Sequence, residues 1–85
     1  MNFNFDLKNL DGTTIEGANV GKVIAQALVQ TPKGDAVKLF FLAQKLHAGE
    51  ELELDPSDKD YLKTFIKDHE TFTNLLKAQA LALFE

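Results

Sequence analysis

Apolar and polar residues alternate at the start of the chain. Phe3, Phe5 and Leu7 recur with a period of two, which predicts a strand over Asn2 to Asn9 with those three side chains on one face. Asp11-Gly12 is a hairpin signal, and two registers compete. A two-residue loop sets Lys8 opposite Ile15 and turns Ile15 away from the Phe residues. A three-residue loop with Gly12 in the left-handed conformation pairs Leu7 with Ile15 and Lys8 with Thr14. Only the second gathers Phe3, Phe5, Leu7 and Ile15 on one face, and it is the register expected. A lone hairpin is barely stable in water, so this face must lie on helices.

Beyond Gly17-Ala18 the period changes to that of a helix. Asn19 is a candidate cap for a helix over Val20 to Gln30, with Val20, Val23, Ile24, Ala27 and Leu28 on its core side. Thr31-Pro32-Lys33-Gly34 ends it, and Asp35 caps a second helix over Ala36 to Ala48. Its stripe is Leu39, Leu42, Ala43 and Leu46, and Gly49 is the left-handed stop. Glu50-Glu51-Leu52-Glu53-Leu54 alternates again, predicting a short extended segment or strand that adds to the hairpin edge. Asp55-Pro56-Ser57-Asp58 reads as a helix start. The third helix runs from Pro56 to His69 through Tyr61, Leu62, Phe65 and Ile66, and the fourth from Phe72 to Phe84. The expected fold is α+β, a single domain over residues 1–85. An N-terminal β-hairpin packs on a small bundle of about four helices.

Composition narrows the chemistry. The 85 residues are 45% hydrophobic and 26% charged, with net charge −4, and thirteen Leu and seven Phe supply one modest core. There is no Cys, hence no disulfide framework, thiolate zinc site or cysteine nucleophile. All nine cations are Lys, and an acidic chain without Arg is poorly suited to phosphate backbones. No apolar run reaches the ~20 residues of a membrane span. Met1 to Asp6 lacks the basic and apolar regions of a signal peptide, so the expected location is cytoplasmic.

Candidate catalytic and metal motifs fall short. Gly17-Ala18-Asn19-Val20-Gly21-Lys22 has three residues between its glycines where a phosphate loop needs four, and Val23 stands where a hydroxyl would hold Mg²⁺. Asp55 to Asp60 resembles a calcium loop without its central Gly, and Ile66 occupies the position of the bidentate Glu. The acidic run is expected to be a solvated loop and a helix start. His47 and His69 fall near the ends of different helices, and Ser57, the sole serine, lies at a helix start. These assign no nucleophile, base or metal ligand, so the protein is not expected to be an enzyme or to use a cofactor.

Surplus apolar surface is the more informative feature. The second helix carries an additional stripe of Val37, Phe41 and Ala48 opposite its core stripe. On the fourth helix Phe72, Leu76, Ala80 and Leu83 suffice for a core face, yet Ala78, Leu81 and Phe84 lie elsewhere. The candidate interaction surface is therefore Phe41, Ala78, Leu81 and Phe84.

The series Phe3-x-Phe5-x-Leu7-x-x-Leu10-Asp11-Gly12-x-x-Ile15, Lys38-Leu39-x-x-Leu42-Ala43-x-Lys45-Leu46, Glu53-Leu54-x-x-x-Asp58 and Leu75-x-Lys77-Ala78-Gln79-Ala80-Leu81 resembles small phage and prophage proteins. Those read as a leading L-D-G hairpin, an apolar helix, a short extended segment and a terminal helix. Lys77-Ala78 stands where that pattern often has Gly. The resemblance implies a helical protein of the size and class of tail assembly chaperones, with no catalytic residues to transfer. The expected function is a non-enzymatic protein-interaction or assembly factor. Its partner is another protein or its own copy, not nucleic acid, a membrane or a small-molecule substrate. The alternative is a small regulator that binds nucleic acid through a helix.

Overall fold

The computed structural model describes residues 1–85. Its order is β1 (Asp6–Lys8), β2 (Thr14–Asn19), α1 (Val20–Gln30), α2 (Ala36–Ala48), α3 (Pro56–Asp68) and α4 (Asn74–Leu81), closed by a 3₁₀ turn over Ala82–Phe84. This is the α+β arrangement of a two-stranded antiparallel hairpin followed by four helices. Each α-helix starts at a side chain that accepts a backbone N–H three residues on: Asn19 from Lys22, Asp35 from Lys38, Asp55 from Asp58 and Thr73 from Leu76. Gly49, at φ 77°, stops α2 in the left-handed conformation.

The hairpin turn is the three-residue form. Gly12 N–H donates to the Asn9 carbonyl, Asn9 N–H donates to the Thr13 carbonyl, and Lys8 faces Thr14. Past that pair the register slips. The next partners are Asp6 and Asn19, five steps along β2 against two along β1. Leu7 consequently packs on the core, whereas Ile15 stays half-buried and apart from it.

The first strand is shorter than its alternation predicts because Phe3 and Phe5 serve α1 instead. The Phe3 carbonyl accepts from Gly21 N–H at 2.9 Å and the Phe5 carbonyl from Val20 N–H at 2.8 Å. Together with Asn19 they satisfy donors that the first turn of a helix leaves unpaired. The 50–54 segment is not a strand of the hairpin. Its Leu52 N–H donates to the Met1 carbonyl at 2.8 Å, and buried Leu52 anchors it beside the first residue.

One core of Phe3, Val20, Ile24, Ala25, Leu28, Leu39, Ala43, Leu46, Leu52, Leu62, Ile66, Leu76 and Ala80 joins the N-terminal segment, the four α-helices and the 50–54 segment. The buried side of α1 differs from the expected one. Gly21 and Ala25 face inward, while Val23 is exposed and Ala27 half-buried. Small residues let α1 and α2 pack closely: Gly21 faces the Leu46 backbone oxygen, and Ala25 lines the α1–α2 groove together with Ala43. Tyr61, expected in the core, is 41% exposed, and α3 is buried through Leu62 and Ile66. The far end of the bundle is fastened to the sheet by Gln79 of α4. Its Nε2 donates to the Lys8 carbonyl at 2.8 Å and its Oε1 accepts from Lys8 N–H at 3.0 Å. This side-chain amide occupies an edge of β1 as a neighbouring strand would.

Candidate interaction surface

The helical period of α2 puts Leu39, Ala43 and Leu46 in the core and turns Val37, Phe40 and Phe41 outward. These three are 65%, 51% and 58% exposed, and the Phe40 and Phe41 ring centroids lie 6.2 Å apart. Gln44, Lys45, His47 and Ala48 continue the exposed side toward the C-terminus of the helix.

A groove borders this face on each side. The first, about 470 Å³, lies between α2 and the 52–61 segment. Leu39, Leu42, Leu52 and Leu54 supply its apolar lining, with Phe41 and Tyr61 alongside. Lys38 and Asp58 form an ion pair across it at 2.5 Å, and Asp58 raises the Lys38 pKa above its ordinary 10.5. That pair ties α2 to the start of α3, although exposed pairs stabilise little. The second groove, about 340 Å³, runs between α1 and α2 past Ala25, Val29, Phe40, Ala43 and His47.

The four residues singled out from the sequence do not form one surface. Phe41 borders the α2 groove, which none of Ala78, Leu81 or Phe84 lines. Ala78 is exposed on α4. Leu81 and Phe84 pack onto the core, with the Phe84 and Phe3 rings 6.0 Å apart. The 3₁₀ turn at 82–84 tightens the end of α4 and swings Phe84 back over Phe3, a bend that a uniform helical projection misses. Phe40 and Val29 were not singled out from the sequence. The Phe40-Phe41 dipeptide held the signal, because adjacent residues lie about 100° apart on a helix and a narrow core stripe cannot take both.

Several titratable residues have structural tasks. Asp55 caps α3, Asp58 holds Lys38, and the Met1 amino group lies 2.7 Å from Glu51. No group of three His, Asp or Glu side chains is close enough to hold a metal ion. His69 ends α3, stacked on Phe72 with centroids 3.9 Å apart, and its Nδ1 accepts from Thr71 N–H. His47 lies on α2. No helix is long and apolar enough to cross a membrane. Neither a protein-family model nor a curated protein nor a solved structure matches this chain.

Proposed function

We propose that this protein is a non-enzymatic interaction module that engages another protein through the outer face of α2. The observation carrying this reading is the adjacency of Val37, Phe40 and Phe41, each more than half exposed on one helix. Single exposed apolar residues are ordinary, but a contiguous group flanked by grooves is a feature of binding surfaces. Phe40 and Phe41 are about half exposed, so covering one of them is worth roughly half the full burial value, about 1–1.5 kcal/mol, and covering this face supplies a driving force for association. An assembly role, as the resemblance to small phage proteins implies, is the specific form of this reading.

A photo-crosslinking residue at position 41, with position 63 on α3 as control, tests it in cells of the natural source. A discrete protein adduct is expected from position 41 alone. No adduct at 41, or the same adducts from both positions, overturns the reading.

A further inference from the structure

The 50–54 segment holds an open backbone edge beside the larger α2 groove. Leu52 meets Met1 through both of its backbone groups. Its N–H donates to the Met1 carbonyl at 2.8 Å, and its carbonyl accepts from the Met1 amino group at 3.3 Å. Burial alternates along the segment, as in an extended chain: Glu51 and Glu53 are exposed, Leu52 is buried and Leu54 half-buried. Neighbouring residues of an extended chain turn their backbone groups to opposite edges. The N–H and carbonyl groups of Glu51 and Glu53 therefore point away from Met1, and none of them bonds within the chain. Such a row is a template for a further strand.

The groove runs along this segment. Leu52, Glu53 and Leu54 line one wall, and Leu39, Phe41 and Leu42 of α2 the other, whereas Met1, on the paired edge, does not line it. Its charges are mixed, with Asp35, Glu53 and Asp58 against Lys38 and Lys45. Lys38 is taken by Asp58, and Lys45 stands on the α2 wall, opposite the edge. On the edge itself the exposed side chains are both acidic. Glu51 lies 2.7 Å from the Met1 amino group, and Glu53 makes no ion pair. A strand laid there sets its outward side chains beside these two, where Lys or Arg is favoured and Asp or Glu disfavoured.

We infer that the groove takes an extended segment of a different protein, one that alternates apolar and basic residues and adds as a strand along Glu51–Glu53. Its apolar side chains cover Leu42, Leu54 and Phe41, and its basic ones stand beside Glu51 and Glu53. The inference rests on Phe41 belonging to the working face, as proposed above, and adds the shape and charge of the partner. A second copy of this chain fits poorly. Its own 51–53 edge would set Glu against Glu, β2 brings the exposed Glu16, and the β1 edge is occupied by Gln79.

End-blocked peptides of alternating Val and Lys and of alternating Val and Glu test this by NMR titration of the whole protein, with a helical Leu-Lys peptide as the control for shape. The Val-Lys peptide should bind about fivefold or more tightly than the Val-Glu peptide at low salt. At saturation it should slow amide exchange at Glu51 and Glu53 by about tenfold or more. Glu53→Pro removes a donor that no group of the chain uses, so it should keep the melting temperature and lose the peptide. Should that variant fail to fold, exchange in the native protein decides alone. Glu53→Lys should abolish the preference for the Val-Lys peptide. Unchanged exchange at Glu51 and Glu53, whichever peptide binds, overturns the added strand, and the α2 face stands if Phe41→Glu abolishes that binding. Equal or tighter binding of the Val-Glu peptide with slowed exchange overturns the basic partner. Binding of no peptide overturns the inference, and crosslinking from position 41 then decides the α2 face independently.

Discussion

The backbone oxygen of Leu46 lies 2.8 Å from the position a β carbon on Gly21 would take, and the Phe3 oxygen lies 3.2 Å from it. The first turn of α1 is pressed between the last turns of α2 and the N-terminal segment. Both opposing atoms belong to the backbone, so neither can rotate away. Gly21→Ala should therefore destabilise the fold by about 1–3 kcal/mol through overpacking, despite the better helix propensity of Ala. Urea denaturation checks this; an unchanged or raised midpoint contradicts the close approach.

Gly12 presents the opposite case. Its φ is +89°, and a β carbon there would meet nothing within 4 Å. The constraint is conformational rather than steric. Gly12→Val should cost about 1 kcal/mol or more, and Gly12→Asn clearly less, because Asn tolerates the left-handed region. Equal losses for the two variants would show that something other than backbone conformation governs the turn.

The same turn makes stability depend on acid. The Thr13 hydroxyl lies 2.7 Å from Asp11 Oδ1 and the Thr13 backbone N–H donates to it at 3.0 Å. These hydrogen bonds, the hydroxyl's first, hold the Asp11 carboxyl below its ordinary 3.8. A lowered folded-state pKa gives stabilisation that is complete above the ordinary value and lost as pH falls through the lowered one. Asp11→Asn should flatten the stability profile below about pH 4. Thermal melts of both proteins from pH 2 to 6 read the difference, and parallel profiles contradict it.

Gln79 is the single polar link from α4 to the β1 edge. Gln79→Ala should destabilise by about 1 kcal/mol, and Gln79→Glu by a comparable amount, since an ionised carboxylate accepts from Lys8 N–H but cannot donate to its carbonyl. Amide exchange at Lys8 should accelerate in Gln79→Ala. Unchanged exchange there would mean that the edge is protected by other means.

The sequence by itself determined the local structure wherever a local interaction decides it. Asn19, Asp35 and Asp55 start helices because their side chains accept the nearest free N–H groups, and Gly12 and Gly49 turn the chain because glycine takes the required positive φ without steric cost. The outward stripe at Val37 and Phe41 was legible for the same reason, since period alone opposes it to Leu39 and Leu46. Tertiary structure decided whether any element packs over a given stripe. Leu81 and Phe84 looked as free as Phe41 in projection, but a 3₁₀ turn brought Phe84 onto Phe3, and nothing comparable covers Phe41. It also rotated α1 onto Gly21 and Ala25, because close helix approach favours small residues over the larger Val23. It drew Phe3 and Phe5 out of their strand to satisfy helix donors. Each of these outcomes depends on a partner distant in sequence, and periodicity holds no record of which distant surfaces will meet.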